Sequence, residues 1–174
     1  MIQQQYNTNS DIDSAGDVAL RSDSGSTQRS GGVRLTLRKA EKLRHKSLVE
    51  NLFKEGFSVY EFPLRMQVRT LSEDELESSF RNGAPDGIAP LQMLVTVPKK
   101  KRRHAVDRVL MRRRIREAYR LGRGPLRTFL EENSSVRTLS MAFIYMCDKN
   151  LPYSTIERKM QLLLKKAVDR LNAR

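Results

Sequence analysis

The spacing of apolar and polar positions changes period along the chain and marks out a series of elements. Over 46–55, Leu48 and Leu52 fall on one helical row and Val49 and Phe53 on the next, predicting a helix that Gly56 can stop. Phe57–Tyr60 and Leu64–Thr70 read as strands separated at Pro63. In the second, Leu64, Met66 and Val68 alternate with Arg65, Gln67 and Arg69, so one sheet face is apolar and the other cationic. Leu91–Val97 alternates in the same way through Leu91, Met93, Val95 and Val97. From about Arg108 to Leu121 the period becomes helical. Met111, Ile115, Ala118 and Tyr119 share one side there, and Gly122, Gly124 and Pro125 end the run. Leu139–Met146 is an apolar stretch read as a buried strand. Ser154-Thr-Ile-Glu157 has the form of a capping box, and the helix behind it would bury Ile156, Met160, Leu163, Ala167 and Leu171.

The order helix, strand, strand, strand, helix, strand, helix predicts an α/β (α+β) fold: a single-layer mixed sheet with helices on one face and the other face open. Residues 1–33 are mostly Gln, Asn, Ser, Thr, Asp and Gly. They cannot bury enough apolar surface to offset their ordering and are expected to form a disordered tail. Residues 34–174 are then a single domain. Within it, 71–90 is acidic and rich in turn residues, with Asn82-Gly83 and Pro85-Asp86-Gly87, and reads as a surface loop with a helical turn at Glu73–Leu76.

Charge narrows the class of partner. The formal net charge is +13, and 13 of the 33 Lys and Arg fall within residues 98–127 against two acidic residues. A field of one sign concentrated in this way attracts a polyanion, with nucleic acid ahead of an anionic membrane. A single cysteine, Cys147, excludes an intramolecular disulfide, and His45 and His104 stand too far apart in sequence to suggest a metal cluster. The N-terminus lacks a basic segment followed by an apolar one, and the longest apolar run, Leu139 to Met146, is too short to cross a bilayer. The expectation is a cytoplasmic protein.

Opposite the apolar side of the helix at 108–121 lie Arg112, Arg113, Arg116 and Arg120, with Arg123 close by and Pro98-Lys99-Lys100-Lys101-Arg102-Arg103 just upstream. Guanidinium groups crowded on one face repel each other, and a phosphate backbone would supply the missing countercharge. The bland alternative is a solvated basic face that binds nothing. A membrane-binding role suits the helix poorly, since Met111, Ile115, Ala118 and Tyr119 make a modest apolar face better fitted to a sheet.

The stretch Ala105-Val-Asp-Arg-Val-Leu-Met-Arg-Arg-Arg-Ile-Arg-Glu-Ala-Tyr-Arg120 resembles the signature of the bacterial ribonuclease P protein subunit family, Ala-Val-x-Arg-Asn-x-x-Lys-Arg-x-x-Arg-Glu-x-x-Arg. Ala105, Val106, Arg108, Arg113, Arg116, Glu117 and Arg120 match it, and Arg112 stands in for Lys. Val95-Thr-Val-Pro-Lys-Lys100 is similar to the strand that precedes the signature. Leu43-Arg44 with Phe53-Lys54-Glu55-Gly56, and Tyr153 with Leu162-Leu163-Leu164-Lys165-Lys166, are similar to its two ends. Three positions depart from the pattern: Val109 replaces Asn, Leu110 replaces a common Arg, and Val49 replaces a usual aromatic.

The resemblance implies a left-handed βαβ crossover, against the strong right-handed rule, and two RNA surfaces. Lys99, Lys100, Lys101, Arg108, Arg112, Arg113, Arg116 and Arg120 would contact the catalytic ribonuclease P RNA. Arg44, Phe53, Arg65 and Arg69 would line a cleft for the single-stranded 5′ leader of precursor tRNA, where an aromatic ring can stack on a base beside a neutralised phosphate. Phe53 fits the apolar core equally well. The implied activity is Mg²⁺-dependent endonucleolytic removal of the leader, with the metal held mainly by the RNA and no catalytic side chain, metal site or small-molecule substrate on the protein. A ribosomal or RNA-chaperone module accounts for the charge equally well, though not for the ordered matches from Leu43 to Lys166.

Overall fold

The structure is a computed structural model that describes residues 36–173. The tail expected over 1–33 lies outside the described residues. A 3-10 turn at Lys39–Glu41 is followed by α1 (Lys46–Glu55), β1 (Phe57–Glu61), β2 (Leu64–Leu71), α2 (Glu73–Ser78), β3 (Leu91–Thr96), α3 (Ala105–Gly122), α4 (Gly124–Glu132), β4 (Thr138–Tyr145) and α5 (Tyr153–Asn172). The four strands form one sheet in the order β1-β2-β4-β3. β1 with β2 and β2 with β4 are antiparallel, while β3 and β4 run parallel, so α3 and α4 form the crossover between them.

Alternation along the strands divides the sheet into two faces. On the first, Val59, Met66, Phe143 and Val95 stand in register across all four strands. That face meets Met111, Ile115, Ala118 and Tyr119 of α3, Leu126 and Phe129 of α4, and Ile156, Met160, Leu163 and Ala167 of α5 in one apolar cluster. The second face carries Ser58, Gln67, Ala142 and Leu94 in the adjacent row. Leu48 and Leu52 of α1 and Leu76 of α2 cover part of it, in a smaller cluster with Leu71, Ile88 and Ala142. The face is therefore open only in part. Tyr60, Arg65, Ile144 and Thr96 form its next row, with Tyr60 and Arg65 exposed.

Three local features differ from the sequence pattern. The glycines at 122 and 124 do not end the helical region, because α4 begins at once with Pro125 in its first turn, where a missing N–H costs nothing. Leu126 and Phe129 then supply its buried side. Helix α5 starts at Tyr153 with Pro152 at its N-cap and no side-chain cap bond, so Ser154 and Glu157 do not form a capping box. A capping box is present on α2 instead: Ser72 Oγ accepts from the Glu75 N–H at 3.3 Å, and Glu75 Oε2 accepts from the Ser72 N–H at 3.0 Å. This cap, with buried Leu76 and Ile88, ties the 71–90 loop to the domain.

Candidate nucleic-acid interface

The basic loop before α3 is shaped by its own arginines. Lys101 and Arg102 donate backbone N–H groups to the Pro98 carbonyl, both at 3.0 Å, and close a turn that leaves Lys99 and Lys100 exposed and Lys101 half-buried. Arg102 bonds Asp107 Oδ2 at 2.5 Å and the Asp148 carbonyl, while Asn150 donates to Asp107 Oδ1 at 2.7 Å. The Asn150 bond and the Arg102 charge hold the Asp107 carboxyl below its ordinary range. Arg108 folds back and donates to the carbonyls of Arg102 (3.0 Å) and Arg103 (2.6 Å). Of the signature arginines, Arg108 thus holds the loop that presents the lysines.

Along α3 the buried side is Met111, Ile115, Ala118 and Tyr119, each at 0–1% exposure. Burial pushes the Tyr119 phenol up from its ordinary range. Arg113 and Arg116 are exposed and Arg112 half-buried on the other side. Among the described residues no ion pair neutralises these three. Arg120 is different, since its Nε donates to Glu117 Oε2 at 2.9 Å, and this bond lowers the Glu117 pKa. Arg123 has turned inward against Glu41 and is buried. Arg113, Arg116, Glu117 and Arg120 line an open depression of about 470 Å³ together with Lys42 and Leu37. Lys42 is a cation the sequence pattern did not single out. Only the chain's return past α3 places it there.

The second surface is the uncovered part of the sheet. Arg65 is exposed and steered from beneath: Nη2 donates to Ser58 Oγ at 2.9 Å, Ser58 donates to Gln67 Oε1 at 2.6 Å, and Gln67 Nε2 donates to the Gly56 carbonyl at 2.8 Å. Arg69, on the same face, finds its countercharge within the chain, from Glu55 at 2.7 Å and Glu75 at 3.6 Å, with 13% of its side chain exposed. Phe53 is 46% exposed and is not core. Arg44 is exposed in the segment before α1. Tyr60 and Phe62 are also exposed aromatics, at 54% and 53%. Tyr60 could have been found from its place two residues after Ser58, on the strand face opposite Phe57 and Val59. Phe62 sits at the β1–β2 turn and carried no such signal. Among the described residues no group of three or more His, Cys, Asp or Glu is placed to hold a metal ion. Among the described residues no helix is long and apolar enough to cross a membrane.

A mixed sheet with a parallel crossover, whose crossover helix turns arginines outward, defines a basic α+β domain with a field of one sign along α3. Comparison with known proteins makes this specific. The Ribonuclease P family pattern matches residues 37–168. The ribonuclease P protein components of two strains of Porphyromonas gingivalis are each 34% identical over 125 residues, which cover 72% of this chain and 81% of theirs. Among solved structures, the RNase P protein of Staphylococcus aureus aligns with a TM-score of 0.52 at 18% identity, covering 74% of this chain and 96% of that one. A mutant of that protein described as defective in mRNA degradation aligns at 0.53, over 74% of this chain and 89% of its own. The chain belongs to the ribonuclease P protein family.

Proposed function

We propose that this chain is the non-catalytic protein subunit of ribonuclease P, binding the catalytic RNA through α3 and the basic loop and the 5′ leader of precursor tRNA through the open part of the sheet. One observation carries the reading. The acids near α3, Asp107 and Glu117, are occupied by Arg102 and Arg120, while among the described residues Arg112, Arg113 and Arg116 have no carboxylate partner beside exposed Lys99 and Lys100. Guanidinium forks left in this state suit phosphate oxygens, which they grip in pairs.

On the sheet, Arg65 is the cation assigned to leader phosphates, with exposed Phe53, Tyr60 and Phe62 offered to unpaired bases. Arg69 instead holds the end of α1 and the start of α2 to β2. The protein's contribution is electrostatic and positional. It screens repulsion between two polyanions and holds the leader, while Mg²⁺ belongs with the RNA and the phosphodiester is hydrolysed there.

Reconstitution tests this directly. Purified protein should leave precursor tRNA intact, and adding ribonuclease P RNA with Mg²⁺ should restore leader removal at low protein concentration. Cleavage by the protein alone, lost on changing one of its own side chains, would overturn the proposal. So would equal affinity for ribonuclease P RNA and unrelated RNA.

A further inference from the structure

The outer side of α3 changes character along its length. Its second half presents Arg113 and Arg116, whereas its first turns present Val106, Val109 and Leu110, which are 79%, 44% and 37% exposed. Val109 and Leu110 lie three and four positions after Val106, and Arg113 lies four and three positions after them. These spacings make the four side chains neighbours on one helix surface. Single exposed aliphatic residues are ordinary, but a contiguous set within a strongly basic region asks for a partner. The domain's own packing does not use them, because the core side of α3 is complete with Met111, Ile115, Ala118 and Tyr119.

The charges around the patch select the partner. Lys99 and Lys100 are exposed on the loop that leads into α3, Arg113 follows the patch directly, and Arg116 lies one turn further. Asp107 and Glu117 are engaged with Arg102 and Arg120, so among the described residues neither compensates these cations. The occupant must therefore offer negative charge at the rim and an apolar face at the centre. A fully paired duplex offers phosphates but keeps its base faces stacked inside. RNA with an unpaired base offers both within one nucleotide step.

We propose that Val106, Val109 and Leu110 form an apolar seat for an unpaired nucleobase of the RNA partner, with Arg113 taking the adjoining phosphate. The inference rests on the reading of α3 as an RNA-binding helix and adds a specificity device to it. At 109 and 110, where the family signature carries polar residues, this chain reads a base by apolar contact.

The test uses the full chain with Val109→Ser and Leu110→Ser combined, both at exposed positions, with circular dichroism and thermal unfolding to verify the fold. Binding is measured over a salt series to a transcript of the source organism's ribonuclease P RNA and to a fully paired RNA duplex. Transcript affinity should fall about tenfold at every salt concentration, as expected for lost apolar burial. The slope of log affinity against log salt should stay unchanged, because an apolar contact releases no counterion. Duplex binding should stay the same, and Leu110→Met should retain wild-type affinity. Arg113→Ala serves as the opposite control, lowering the salt slope by somewhat less than about one unit.

Full transcript affinity in the double variant would overturn the nucleobase seat. So would an equal loss on the duplex, or a changed sedimentation coefficient of the free protein with RNA affinity intact, which would mark the patch as a protein contact. A wild-type chain that binds the transcript no better than the duplex would overturn the parent reading and this one with it.

Discussion

The Arg123 guanidinium donates to the Glu41 carboxylate at 2.7 Å, with 2% of the arginine side chain and 13% of the glutamate side chain exposed. A second bond from Arg123 reaches the Thr36 carbonyl at 3.1 Å. The pair joins the N-terminal 3-10 turn to the break between α3 and α4, which are far apart in sequence. Desolvating two charges is costly, so such a pair adds little over an apolar replacement, but removing one partner leaves the other buried and uncompensated. Glu41→Ala is expected to cost about 3 kcal/mol in urea unfolding. A loss within experimental error would show that the buried guanidinium is satisfied without it.

Gly56 sits where α1 ends against β2. A Cβ built there would lie 2.3 Å from the Leu52 carbonyl oxygen and 2.8 Å from that of Val68, both backbone atoms that cannot swing aside. Gly56→Ala should destabilise the domain by about 3 kcal/mol, through displacement of α1 from the sheet. Because Gln67 donates to the Gly56 carbonyl, the variant should also loosen the chain of bonds that steers Arg65. Unfolding midpoints would measure the first effect and leader affinity the second. A variant as stable as wild type would mean that α1 can shift at no cost.

The α3 arginines make a quantitative claim about salt. Replacing Arg112, Arg113 and Arg116 together by Ala should lower the slope of log affinity against log salt by about two to three units, as counterion release from lost phosphate contacts requires. Arg108→Ala should act differently, because that side chain is committed to the Arg102 and Arg103 carbonyls. Its effect should appear as faster amide exchange in the basic loop. An unchanged slope in the triple variant would remove α3 from the RNA surface.

Glu61 predicts a response to acid. Hydrogen bonds from Lys159 and Lys166 of α5 hold its carboxyl at about 2, against an ordinary 4.5. A depressed folded pKa stabilises fully above the unfolded value and loses that contribution as the pH falls through the folded one. Unfolding free energy should therefore decline between about 4.5 and 2. Glu61→Gln should give a shallower decline across that window and a lower plateau at neutral pH. Parallel acid limbs for the two proteins would show that the β1–α5 ion pairs do not couple to folding.

Elements with strong periodicity were legible because burial enforces it. The predicted helix at 46–55 coincides with α1, and the alternation of Leu64, Met66 and Val68 with Arg65, Gln67 and Arg69 separates the two faces of β2. Helix α4 was hidden because Gly122, Gly124 and Pro125 read locally as a stop. Their positive use as a new helix start depends on Leu126 and Phe129 finding α5 and the sheet. The cationic side of α3 was visible for the same reason as its core side, since both follow from one helical spacing.

Within the basic region, composition assigned one role to arginines that the tertiary structure divides among several. Arg113 and Arg116 face outward, Arg108 braces the loop, Arg120 is paired with Glu117, and Arg123 is buried against Glu41. Lys42 joins the outward set from a distant part of the chain. The sequence by itself determined the order of elements, the apolar sides that must meet, and the sign of the field around α3, because periodicity and charge are properties of local spacing. Only the tertiary structure decided which cations keep that field available and which spend it inside the domain, because an ion pair depends on where a distant carboxylate arrives.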